Sequence, residues 1–216
     1  MMHRKSAITA LVGAAALAGC ASEGDLVINQ GVGITAVLSS CPTVGIPDYT
    51  GDVTTFRAAG EQTQRNLDVS AAMTNLRSSC DDTGEKIYSE ATFDVLVRRT
   101  DTRGARTVTL PYFVTVLQGS SAVVTKRVGQ VTVAFADGQD RARASARAGS
   151  FVDRSAATLP DDIRERITRK RRAGDADAAL DPLSAPEVRA AIQRTRFEML
   201  VGFQLTESQL AYNATR

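Results

Sequence analysis

The stretch Thr107-Val108-Thr109-Leu110-Pro111-Tyr112-Phe113-Val114-Thr115-Val116-Leu117 decides the fold class. Val108, Leu110, Tyr112, Val114 and Val116 fall on one face of an extended chain, and Thr107, Thr109, Phe113, Thr115 and Leu117 on the other. Side chains alternate across a strand, and β-branched and aromatic residues suit a pleated surface, so this period marks a strand with a buried face. Pro111 has no N–H to give to a ladder, so it predicts an edge position or a bulge. The same alternation spreads in both directions through residues 54–148. Leu67, Val69, Ala71 and Met73 alternate with Asp68, Ser70, Ala72 and Thr74, and Phe93, Val95 and Val97 alternate with Asp94, Leu96 and Arg98. Residues 122–127 and 131–135 follow, with Gly129 predicted to bend the strand between them. Ala142, Ala144, Ala146 and Ala148 then alternate with Arg141, Arg143, Ser145 and Arg147. Arginines in that position predict the solvent face of an edge strand, one able to accept a partner strand.

Turn residues separate these runs: Asp101-Thr102-Arg103-Gly104, Gly119-Ser120-Ser121 and Asp137-Gly138. Connections this short join neighbouring antiparallel strands. The prediction is a mostly β fold, an antiparallel β-sandwich that is Ig-like in general form.

The pattern breaks at Leu159-Pro160. Asp161 and Asp162 give a helix start with an acidic first turn, and Gly174 is the expected stop. Ser184-Ala185-Pro186-Glu187 and Thr206-Glu207-Ser208-Gln209 both have the spacing of a capping box. The first predicts a helix to about Arg194 and the second a short C-terminal helix to Tyr212. Between them Phe197, Met199, Val201, Phe203 and Leu205 alternate with Glu198, Leu200, Gly202 and Gln204. Residues 160–195 therefore read as a helical insertion before the last strand of the sandwich.

At the other end, Met1-Met2-His3-Arg4-Lys5 and the apolar run that follows have the form of a secretory signal peptide. The run is too short to span a bilayer, which takes roughly 20 apolar residues. It closes on Leu17-Ala18-Gly19-Cys20, which resembles the lipobox of bacterial lipoproteins. That resemblance implies a diacylglyceryl group on the Cys20 sulfur and cleavage just before it. The expected division is residues 1–19 as signal peptide, 20–40 as a lipid-anchored tether, and 41–216 as a single periplasmic domain. Within the tether, residues 34–38 have strand character. Ala21 and Ser22 stand where an Asp favours inner-membrane retention, so the expected location is the outer membrane, facing the periplasm.

Processing of this kind changes the chemistry available. The only histidine, His3, leaves with the signal peptide, and so do Arg4 and Lys5. The chain has 26 basic and 24 acidic residues, so the mature protein is balanced in charge and carries no basic excess for nucleic acid. Without histidine it cannot run a Ser-His-Asp or Cys-His mechanism, nor build the usual zinc sites. No catalytic motif, metal site or cofactor is expected beyond the lipid on Cys20. Cys41 and Cys80 are then an even pair in an oxidising compartment, and a disulfide between them is expected.

Two charged groups remain to be placed. Arg164, Arg166, Arg169, Lys170, Arg171 and Arg172 crowd the predicted helix, either as a solvated face or as a contact for an anionic surface. Asp81, Asp82 and Glu85, and Asp175, Asp177 and Asp181, supply oxygen atoms but lack the ordered spacing of a calcium loop. Asn213-Ala214-Thr215 matches a glycosylation sequon.

Cys41-Pro42 with Cys80, Pro111-Tyr112-Phe113-Val114, and the tail Leu200-Val201-Gly202-Phe203-Gln204-Leu205-Thr206 with Leu210-Ala211-Tyr212-Asn213 resemble a group of proteobacterial envelope lipoproteins. The resemblance implies an anchored periplasmic domain and brings no established activity with it. The expected function is a non-enzymatic binding, adaptor or structural module of the envelope, held at the membrane and meeting an envelope protein. The alternative is an anchored small-ligand binder or enzyme.

Overall fold

The computed structural model describes residues 39–58, 60–172, 174–177 and 179–215. The expected signal peptide, Cys20 and the strand expected at residues 34–38 lie outside them. Among the described residues eight strands form two four-stranded sheets, packed as the expected β-sandwich. One sheet contains β2 (Asp52–Phe56), β3 (Leu67–Asp81), β4 (Lys86–Arg99) and β7 (Arg141–Asp153), in the order β2-β3-β4-β7. The other contains β1 (Thr43–Gly45), β5 (Arg106–Gln118), β6 (Ala122–Phe135) and β8 (Phe197–Phe203), in the order β1-β8-β5-β6. All pairs are antiparallel except β1 with β8. The arginine-lined strand β7 is indeed an edge.

The core lies between the inner faces. Val69, Ala71 and Met73 of β3 and Ile87, Ala91, Phe93, Val95 and Val97 of β4 face Leu110, Val114 and Val116 of β5, Val131 and Val133 of β6, and Phe197, Met199 and Val201 of β8. Each such side chain contributes about 1.5–3 kcal/mol when withdrawn from water. Tyr112 ties the sheets together at one flank. Its ring stacks edge-on to Phe93 with centroids 5.2 Å apart, and its hydroxyl donates to the Arg147 carbonyl of β7 at 2.9 Å. The ring lies over Gly129, where a Cβ would come within 2.6 Å of Tyr112 Cζ. Gly129 therefore makes room for an aromatic ring opposite Tyr112.

Pro111 stands in a central strand, neither at an edge nor at a bulge. The β8 ladder ends at the Tyr112–Phe203 pair, so Pro111 sits one step beyond it. Its carbonyl still accepts from the Gln204 N–H at 2.9 Å. The missing Pro N–H falls where the neighbouring strand has already stopped. A bulge does occur, unheralded, in β3: the register shifts between Thr74 and Arg77, with Asn75 at φ 53°. Asn tolerates that left-handed conformation better than most residues.

Three α-helices occur among the described residues: α1 (Asp161–Thr168), α2 (Pro186–Thr195) and α3 (Glu207–Thr215). Ile163 and Ile167 of α1 pack with Val188 and Ala191 of α2 in a small core of their own. α1 stops at Thr168, well before Gly174, because Arg169 is extended and Arg171 turns inward. The buried Arg171 guanidinium donates to the carbonyls of Arg166 and Leu180 and lies 3.4 Å from Asp177. The first capping box does not form. Ser184 belongs to a short 3-10 turn and gives its hydroxyl to the Asp181 carbonyl, leaving Ala185 as the N-cap of α2. The second does form: Gln209 N–H donates to Thr206 Oγ1, and Thr206 N–H donates to Gln209 Oε1.

Candidate functional site

The two ends of the sandwich differ. At one end lie the β3–β4 turn, the β5–β6 turn, the helical insertion and the start of β1. Cys41 is bonded there to Cys80, which fastens the segment leading in from the N-terminus to β3. At the opposite end are the turns at residues 100–105 and 136–140, and Arg99 joins them. Arg99 is the largest fully buried side chain, 1 % exposed. Its Nε donates to the Gln139 carbonyl, Nη1 to Gly104, and Nη2 to both Thr102 and Ala136, at 2.7–2.9 Å. Its guanidinium also lies 5.0 Å from the Phe135 ring centroid. Carbonyl dipoles and an aromatic face thus take the place of a carboxylate. Arg99 occupies the apolar register of Phe93, Val95 and Val97, and that anomaly is the signal by which it was detectable in the sequence.

The turns that Arg99 holds border the main concavity, an open groove of about 740 Å³ on the outer face of the β2-β3-β4-β7 sheet. Two cross-strand rows build it. Asp52, Ala72, Leu96 and Arg143 stand opposite one another in turn, and so do Thr54, Ser70, Arg98 and Arg141. Leu96 is 48 % exposed and forms an apolar floor beside Ala72. Arg98 and Arg141 share one carboxylate, Asp140, each with Nε 3.7 Å from Oδ2. Further along the same face Asp94 accepts from Ser145 and Asn75, and these bonds hold its carboxyl below the usual aspartate range. Beside the groove, α3 is pinned by Asn213, whose amide donates to the carbonyls of Tyr49 and Asp52 at 2.8 Å. The sequon asparagine is therefore buried and already used.

The charged groups singled out in the sequence are largely engaged locally. Arg164 pairs with Asp161 at 2.7 Å, Arg166 with Glu187 at 2.6 Å, and Arg169 and Arg171 both with Asp177. Lys170 and Arg172 remain exposed. Asp81 accepts from Thr83, Asp82 from Ser40, Asp175 from the Arg172 N–H and Asp181 from the Leu183 N–H. Among the described residues no three His, Cys, Asp or Glu side chains come together as a metal site would need.

Fold and surface together define a disulfide-bonded β-sandwich with a filled core and a groove rimmed by arginines on one outer face. Comparisons with protein-family models, curated proteins and solved structures each find no match.

Proposed function

We propose that this is an outer-membrane lipoprotein whose sandwich serves as a non-enzymatic binding and adaptor module in the periplasm. One observation carries this reading: the chain joins the fold at the Cys41–Cys80 end, and the groove lies on a sheet face nearer the opposite end. Along β3 the separation from Cys80 to Ala72 is roughly 25 Å at strand rise. A chain anchored through Cys20 presents the groove away from the bilayer, into the space where envelope partners stand. Two or more acyl chains hold such a protein stably, and confinement to one plane raises its effective concentration for those partners. The charged side chains lining the groove are three arginines and a single carboxylate, Asp52, a set that favours binding over acid–base chemistry.

The test has two parts. Cys20→Ser should move the protein from the membrane to the soluble fraction, and firm attachment of that variant would place the anchor elsewhere. Crosslinking in intact cells, followed by mass spectrometry, should recover a reproducible envelope partner of the anchored protein. Recovering none would count against the adaptor role.

A further inference from the structure

Arg98 and Arg141 stand directly opposite each other on β4 and β7. Like charges in that position destabilise an antiparallel pair. Their shared Asp140 lies at the long limit of an ion pair to both and is itself half exposed, so it relieves the repulsion only in part. Arg143, on the next outward position of β7, stands opposite Leu96, and its nearest acid is the diagonal Asp94, whose oxygens already accept from Ser145 and Asn75. An arrangement that opposes sheet stability, beside an exposed leucine, is the kind of local conflict that marks a binding surface.

We infer that the groove on the β2-β3-β4-β7 sheet binds an extended acidic peptide segment of a partner protein, with carboxylates on Arg98, Arg141 and Arg143. The planar guanidinium fork matches a carboxylate with two parallel hydrogen bonds. Leu96 and Ala72 accept apolar side chains between the charged positions, and the Ser70 hydroxyl lies in the same row as Arg98 for a backbone contact. The span from β2 to β7 is three interstrand steps, roughly 14 Å, which four or five extended residues cover. A phosphate-rich polymer fits less well, because Asp140 and Asp52 oppose a continuous line of negative charge and the apolar floor gives it nothing. The inference deepens the adaptor reading by naming the partner's chemistry, and rests on that reading for the groove's accessibility in the periplasm.

The test uses the mature full-length protein in detergent and a fluorescein-labelled probe, acetyl-Leu-Ala-Glu-Leu-Asp. Fluorescence anisotropy should show saturable binding that weakens as salt rises. Binding should fall at least tenfold in the double variant Arg141→Glu, Arg143→Glu, and at least threefold in Leu96→Ser. All three positions are exposed, and a single cooperative urea transition in each variant confirms that the sandwich is folded. The same probe with Gln and Asn in place of its acids should bind at least tenfold more weakly. Absence of saturable binding, indifference to the arginine variants, or equal binding of the neutral probe would each overturn the inference. So would arginine-dependent binding to vesicles of anionic phosphatidylglycerol without binding to the peptide. These in vitro outcomes are separate from the crosslinking result, so a protein with no cellular partner and a groove with no peptide affinity are told apart.

Discussion

Arg99 carries a full charge in the interior without an acid beside it, and its environment shows how that is sustained. Four carbonyl oxygens from two turns surround one guanidinium, so the fork both satisfies its donors and sets the spacing of the turns. Replacing Arg99 with Met should leave those oxygens without their donor and destabilise the protein by about 3 kcal/mol. Lys should lie between, because three donors on one nitrogen cannot span the same carbonyls. Urea unfolding checks both, and an unchanged midpoint for Arg99→Met would refute the role. Asp68 is a gentler case. The two-point hydrogen bond from Arg106, at 2.6 and 2.7 Å, holds its carboxyl below the usual aspartate range. A depressed carboxylate contributes stability that is complete above the unfolded value of about 3.9, and lost as pH falls through the folded value. With Arg106 partly exposed, the contribution is about 1 kcal/mol. The wild type should therefore exceed Asp68→Asn in stability at pH 6, and this advantage should shrink on acidification below pH 4. At this scale the sequence shows that Arg99 lies on an apolar register, but its acceptors come from residues as many as 40 positions away.

Among the elements, strands were more legible than helix ends. A strand repeats its signal every second residue, whereas a helix terminus depends on one or two side chains that can bond elsewhere. Thr206 and Gln209 close their box even though Thr206 Oγ1 also lies 3.1 Å from Ser208 Oγ. Ser184 gives its hydroxyl to the Asp181 carbonyl instead, and its box stays open. The C-terminal helix α3 is held to the sandwich chiefly by Asn213, with Tyr212 edge-on to Phe56 at 5.3 Å. Replacing Asn213 with Leu should cost about 2 kcal/mol by stranding the carbonyls of Tyr49 and Asp52. Amide exchange should accelerate in α3 and in residues 47–52 while β4 stays protected. Equal acceleration throughout would mean that α3 is part of the central cooperative unit.

For the whole molecule, the Cys41–Cys80 bond determines how the start of the described chain is held to the sandwich. It closes a loop with a sequence separation of 39 and joins the residues before β1 to the sheet that carries the groove. The chain-entropy relation gives about 4 kcal/mol of stabilisation for a loop of that length. Reduction, or the double variant Cys41→Ser, Cys80→Ser, should lower stability by about that amount. Circular dichroism should still report a β-sheet fold, because the buried core is built from the inward side chains of both sheets and Cys41 only packs against it. Loss of all β structure on reduction would show that the core alone does not suffice.

The sequence by itself determined the layered β architecture, the helical interruption after residue 159 and the pair of cysteines available for bonding. Each follows from local periodicity, from turn residues or from counting, and none requires knowing which strand lies beside which. Only the tertiary structure decided that Pro111 belongs in a central strand, that Arg98 meets Arg141, and that Arg164, Arg166, Arg169 and Arg171 of the basic run pair with nearby acids. Those outcomes depend on strand order and register, set by how two apolar faces close over each other, and the groove exists only because that closure aligns four distant strands.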